Sequence, residues 1–283
     1  MYRLLLLLLV AFWCFGVMAD AAEGPGVKKP LVVGLLPYLS PNLLIKTWGP
    51  LLDHLEQKLQ RKILVKTAPD FKRFIVRTRK QRYDLVLTAP HFAALAHSQR
   101  RYTIIASFSA TLYGDIVVAG SSRYLSLEDL RGKTLALPDY LAIVTLLGEK
   151  KFRQQKIITS ETGSIRYNRS HNNALMSVIE GKADVAVVVG GLAKKIETAA
   201  ARPGLFRYLG RTESSPHIMF LASNALPAAQ RRQIAQALIG LNGTAAGRRF
   251  LARLGWGKLR YPDADDLEYI ARFLPLLRQR LSP

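Results

Sequence analysis

The chain has 283 residues, 49% hydrophobic and 22% charged, with no low-complexity tract, which excludes a disordered or fibrous protein and fits one large or two medium globular domains. Lys and Arg outnumber Asp and Glu 41 to 20, a formal net charge of +21, so anionic partners are favoured: small phosphorylated, sulfonated or carboxylated solutes, lipid surfaces or nucleic acid. The single cysteine, Cys14, lies in the first twenty residues, which leaves the rest of the chain without disulfides or a thiol nucleophile.

Arg3, the apolar run Leu4–Met18 and the pattern Ala19-Asp20-Ala21 read as a secretory signal over residues 1–21. The run is shorter than the roughly 20 apolar residues that span a bilayer. Export to the periplasm is therefore expected, and it removes nucleic acid from the list of partners. Gly24, Pro25, Gly26 and Pro30 mark a linker over 22–30.

Leu31–Leu36 reads as a buried strand running into Pro37-Tyr38. Leu44, Trp48, Leu51, Leu52, Leu55 and Leu59 recur at helical spacing, with Pro50 either kinking that helix or lying in its first turn. Ile63–Thr67 is the next strand, and Asp70 caps a short helix. Tyr83–Ala96 then gives a buried strand, a turn at Thr88-Ala-Pro-His91 and a helix start with Pro90 in its first position. A helix that begins past a strand's carboxyl end offers free N–H groups and partial positive charge, so this turn is expected to face a ligand. The stretch has an echo in Gly181-Lys182-Ala183-Asp184, Val185–Val189 and Gly190-Gly191. Asp84 and Asp184 are expected to cap or terminate the helices before these strands.

Strands are also expected at Thr103–Phe108, Asp115–Ala119, Thr134–Leu137, Ile165–Tyr167, Phe206–Leu209 and Ile218–Ala222. Ser126-Leu-Glu-Asp129 carries a capping-box pattern, and Asp139 is a candidate N-cap. His171–Glu180 is helical, and the tail is all helix, at Pro227–Leu241, Gly247–Leu254 and Asp265–Leu277. The β-α order predicts an α/β fold of two lobes, each a mostly parallel sheet flanked by helices, with a ligand cleft between them. Crossings near Thr111–Ile116 and Pro216–Leu221 divide the chain into lobe I, 31–112 and 219–283, and lobe II, 113–218.

Enzyme signatures are missing: there is no G-x-S-x-G, no phosphate loop and no dinucleotide fingerprint. No two of the five histidines stand at H-x-H or H-E-x-x-H spacing, so neither metal nor cofactor is expected.

Tyr83-Asp84-Leu-Val-Leu-Thr-Ala-Pro-His91, Leu130-Arg-Gly-Lys-Thr-Leu-Ala136, Ser170-His171-Asn-Asn-Ala-Leu and Gly247-Arg-Arg-Phe-Leu-Ala-Arg-Leu-Gly-Trp256 are similar to the phosphate/phosphite/phosphonate-binding proteins of ABC importers. The resemblance covers almost the whole chain after the signal. It implies a type II periplasmic binding protein that closes two lobes around a solute. It also implies ligand contacts at Tyr38, near Thr88 and His91, and at His171 with Asn172. Where the family has Ser and Thr followed by Gly, this chain has Asp139-Tyr140-Leu141-Ala142-Ile143, so Asp139 and Tyr140 are candidates in place of hydroxyl donors. A carboxylate without those donors makes a doubly charged phosphonate costly to hold. The expected function is solute capture for an importer's permease, by a monomer. The alternative is a sensory binding protein that reports to a membrane kinase or cyclase. An exported enzyme using Asp139 and His171 is a third reading.

Overall fold

The computed structural model of the chain describes residues 29–157 and 163–282; the signal read over 1–21 and nearly all of the linker lie outside them. The first run alternates as expected: β1 (Leu31–Leu35), α1 (Pro41–Leu59), β2 (Ile63–Lys66), α2 (Phe71–Arg79), β3 (Leu85–Thr88), α3 (Pro90–Ser98) and β4 (Tyr102–Phe108). A two-residue strand, β5 (Thr111–Leu112), leads to β6 (Gly114–Ala119), β7 (Thr134–Leu137), α4 (Ile143–Gln154), β8 (Ser164–Tyr167) and α5 (His171–Ile179). Next come β9 (Val185–Val189), α6 (Leu192–Ala199) and β10 (Phe206–Arg211). The chain returns through β11 (Ser215–Pro216) to β12 (Met219–Ser223). It closes with α7 (Ala228–Gly240), α8 (Ala245–Leu254), β13 (Leu259–Arg260), α9 (Ala264–Ala271) and α10 (Leu274–Leu281).

Two helix-flanked sheets result, ordered β13-β4-β12-β3-β1-β2 and β10-β6-β9-β7-β8. β5 and β11 pair antiparallel, Thr111 opposite Pro216, in a separate ribbon where the chain passes between the sheets. Neither sheet is purely parallel. β6 and β12 enter their sheets directly from the ribbon, at the edge where β9 and β3 end, and so run against them. Chain direction sets that mixture, not residue preference.

The two halves repeat one device. Asp84 N–H donates to Val32 O at 2.8 Å while Asp84 Oδ2 accepts from Val32 N–H at 2.8 Å. Asp184 N–H donates to Thr134 O at 2.9 Å while Asp184 Oδ2 accepts from Thr134 N–H at 2.8 Å. Each aspartate stands just before a fully apolar strand and ties it to its parallel neighbour, β3 to β1 and β9 to β7. The helix-capping role expected for Asp84 and Asp184 is therefore corrected: both are strand clamps.

α1 buries Leu44, Trp48, Leu51, Leu52, Leu55 and Leu59, and Pro50 lies in its interior. Trp48 packs within about 6 Å of the rings of Phe108, Phe250 and Trp256, so α1 sits against β4 and α8. The tail helix expected over Asp265–Leu277 is two helices, broken at Arg272–Phe273, because Pro275 supplies no N–H and fits only a first turn. Ile270 and Leu277 pack with Phe74, Val86 and Phe92 beneath the first sheet. Phe273, between them, packs with Ile143, Leu146 and Leu147 beneath the second. The C-terminal pair of helices thus touches both cores.

Replacing either clamp strips a backbone N–H of its acceptor. Asp84→Ala and Asp184→Ala are each expected to lower unfolding free energy by about 1–3 kcal/mol. Urea midpoints check this, and an unchanged midpoint for both rejects the clamp.

Candidate ligand-binding cleft

Parallel strands deliver their following loops to one edge, and here four such loops meet. Residues after β1 (Pro37, Tyr38) and β2 (Pro69, Asp70, Phe71) face residues after β7 (Pro138, Asp139, Ala142) and β8 (Arg169, Ser170, His171) across a cavity of about 310 Å³. The starts of α2 and α5 adjoin it. Asp70 caps α2 by accepting from Arg73 N–H at 2.6 Å, and Ser170 caps α5 by accepting from Asn173 N–H at 3.2 Å.

The donors of the cavity are neutral except for one. Tyr38 Oη accepts from Trp48 Nε1–H at 3.2 Å, which leaves its own proton free, and burial raises its pKa. His171 Nδ1 accepts from the Val189 N–H at 3.1 Å. A backbone N–H only donates, so the ring proton of His171 is on Nε2. Burial lowers the His171 pKa to about 4, and protonation at Nδ1 would also break the Val189 contact. His171 is thus a neutral donor; it is the first helical residue, and the cap is Ser170. Arg169 supplies the cation: it is exposed and takes part in no salt bridge among the described residues.

Two carboxylates complete the lining. Asp70 is held below the usual carboxylate range, first by the Arg73 N–H and further by the Arg73 guanidinium. Asp139 is raised, chiefly by burial, against the pull of the Leu141 N–H that donates to its Oδ1 at 2.8 Å; the charge of Asp70 raises it further. Asp139 does not cap α4, whose N-cap is Ala142. Its carboxylate instead accepts from the Leu141 N–H within its own turn.

Of the seven residues expected at the site, the fold brings Tyr38, Asp139 and His171 together. Thr88 lines a separate small apolar cavity under α2 and α3, and its Oγ1 has no hydrogen-bond partner among the described residues. His91 is fully buried and donates from Nε2 to Leu141 O at 2.8 Å. The start of α3 therefore meets a main-chain carbonyl from the opposite side of the cleft, because α9 and α10 cover that helix. Tyr140 lies with its ring against Tyr167, 5.1 Å between centroids, and under the Arg280 guanidinium at 4.2 Å. Asn172 is exposed on the second residue of α5 and is not among the lining residues. Asp70, Phe71, Arg169 and Ser170 went unnamed as site residues. The signal was present: each stands at a helix start two to five residues past a strand's carboxyl end. Among the described residues no His, Cys, Asp and Glu group has metal-binding geometry, and no helix is long and apolar enough to cross a membrane.

The family profile described as ABC transporter, phosphonate, periplasmic substrate-binding protein matches residues 33–267. The chain belongs to this family. Its members are binding proteins of importers, not enzymes, and the resemblance read from the motifs is borne out. The fold is similar to a binding-protein component of a phosphonate ABC transporter from Pseudomonas aeruginosa, at 21% identity over 89% of this chain and 88% of that one, with a TM-score of 0.74. A Prochlorococcus marinus protein solved with methylphosphonate is 15% identical over 87% of this chain and 98% of its own, with a TM-score of 0.76. A Xanthomonas citri protein solved with ATP is 18% identical over 89% and 99%, with a TM-score of 0.71.

The turn Pro138–Ala142 is pinned from outside its own sheet. Arg280, on α10, donates to Tyr140 O and, from Nη2, to Glu149 Oε2 at 2.5 Å. The side chains of Arg280 and Glu149 are 4% and 2% exposed. Glu149 Oε1 accepts from Tyr167 Oη–H at 2.8 Å, and Arg153 adds a contact at 3.2 Å. Removing Arg280 leaves the buried Glu149 with only the exposed Arg153 as counter-charge, whereas replacing both partners removes the buried charge itself. Arg280→Leu is expected to cost about 3–5 kcal/mol, and adding Glu149→Leu to recover a large part of it. A double-mutant cycle by urea unfolding checks this; additive losses would mean that the pair is not coupled.

Proposed function

We propose that the chain is an exported solute-binding protein that captures a small oxyanion in the interlobe cleft and delivers it, as a monomer, to the permease of an ABC importer. Residues 31–112 with 219–283 act as one lobe and 113–218 as the other, and residues 1–21 direct export. One observation carries the reading of the solute. Tyr38, Arg169 and His171 converge on one cavity beside two capped helix starts, so three side-chain donors, one of them a cation, share it with the Asp70 and Asp139 carboxylates. Family membership supports the importer as partner.

Asp139 tunes the choice among oxyanions. It already takes the Leu141 N–H, and its charge opposes a second full charge in the same cavity. A singly charged sulfonate or carboxylate therefore suits the cleft better than a phosphonate dianion.

Methanesulfonate and methylphosphonate test this by calorimetry across pH 4–8. Methanesulfonate stays ionised throughout, so any pH dependence belongs to the protein. An anion beside Asp139 raises its pKa further, so binding takes up a proton. Affinity is expected to rise as pH falls toward the raised Asp139 pKa and to flatten below it. Asp139→Asn is expected to abolish that dependence above about pH 5, where His171 stays neutral, and to strengthen methylphosphonate binding about tenfold at neutral pH. A site that binds neither anion, or binds methylphosphonate tightly with Asp139 intact, contradicts the reading.

A further inference from the structure

Opposite the cleft, the amino-terminal edge of the first sheet gathers cations. Lys80 and Arg82 precede β3, Arg100 and Arg101 precede β4, and Arg231 and Arg232 lie in the first turns of α7. Hydrogen bonds between the turns place them on one surface. Gln81 Nε2 donates to Arg101 O at 3.3 Å and to Ser223 Oγ at 3.2 Å, and Asn224 Nδ2 donates to Arg100 O at 2.9 Å. Lys29 and Arg61 continue the surface at the starts of β1 and β2, where Arg61 Nε donates to Lys29 O and Nη1 reaches Gln230 Oε1 at 3.5 Å.

The acids of this edge are already engaged. Glu56 pairs with Lys62 at 3.1 Å and accepts from Ile63 N–H at 3.0 Å, and Asp84 clamps Val32. Lys80, Arg82, Arg100, Arg101 and Arg232 are all exposed, and none has an ion-pair partner among the described residues. We propose that this edge is a docking surface for the anionic headgroups of a phospholipid bilayer.

Two features favour a lipid surface over other polyanions. The charges spread across successive strand-start turns, and of them only Lys29 and Arg61 line a cavity, one of about 320 Å³ beside Gln230 and Gln233. No aromatic is offered for base stacking: Tyr83 and Tyr102, at the starts of the same two strands, are 1% and 0% exposed. Docking through this edge leaves the solute cleft, at the opposite edge, open for loading.

Vesicle flotation of the purified chain tests the proposal. The probes are vesicles of phosphatidylcholine alone and of an equal mixture with phosphatidylglycerol. Binding to the mixed vesicles is expected to be about tenfold or more tighter, and to weaken as salt shortens the reach of surface charge. Lys80→Glu/Arg82→Glu/Arg100→Glu/Arg101→Glu is expected to abolish the preference. Arg248→Glu/Arg249→Glu/Arg253→Glu/Lys258→Glu changes net charge equally, on and after α8, and is expected to keep most of it. If the first variant does not fold, the corresponding four Gln substitutions make the same comparison. Equal loss in both variants, no preference for phosphatidylglycerol, or tight capture of single-stranded DNA with indifference to vesicles would overturn it.

Discussion

The turn between β7 and α4 is the constraint on which the cleft depends. Its two carbonyls, Tyr140 O and Leu141 O, accept from Arg280 and His91, which belong to helices packed on the other sheet. The turn cannot move with its own sheet alone. Asp139, one residue earlier, is therefore set opposite Asp70 by groups that never touch the cavity. The buried Arg280–Glu149 pair anchors this arrangement, and Tyr167 and Arg153 satisfy the remaining lone pairs of the carboxylate. Such a pair contributes little net stability against an apolar substitute, but it fixes one geometry.

The same interaction reaches the segments that join the two sheets. The ribbon of β5 and β11 provides two crossings, and the C-terminal helices add a third connection between the cores through Ile270, Leu277 and Phe273. Any rotation of one sheet against the other about the ribbon would have to keep the pinned turn in place or break a buried ion pair. Two of the three side-chain donors of the cleft are neutral and held in place. His171 keeps its proton on Nε2 by virtue of Val189, and Tyr38 keeps its own by burial.

Much of this was legible in the sequence. Apolar runs such as Leu85–Thr88 and Val185–Val189 and the helical stripe of α1 announced two α/β halves, because burial on both faces leaves an unbroken apolar signature. The Ser170-His171 start of α5 was legible because a cap followed by an apolar helix has few alternatives. The turn after β3 was misread for a physical reason. A helix start past a strand end attracts a ligand only if nothing else covers it, and local sequence carries no record that α9 and α10 lie over α3. The two aspartates before β3 and β9 were equally ambiguous, since capping and strand clamping demand the same residue at the same position. Arg169 and Asp70 lay in plain view and were passed over because their helices looked like ordinary capped elements. Arg280 was invisible: its partner is 131 residues away.

A crystal structure of the protein loaded with methanesulfonate tests the central claim most directly. The account predicts the sulfonate oxygens within hydrogen-bond distance of His171 Nε2 and the Tyr38 hydroxyl, with Val189 N–H still donating to His171 Nδ1 and Arg280 still on Tyr140 O. A sulfonate seated elsewhere, such as the cavity between α4 and α9, or a loaded state in which Val189 has released His171, would contradict it.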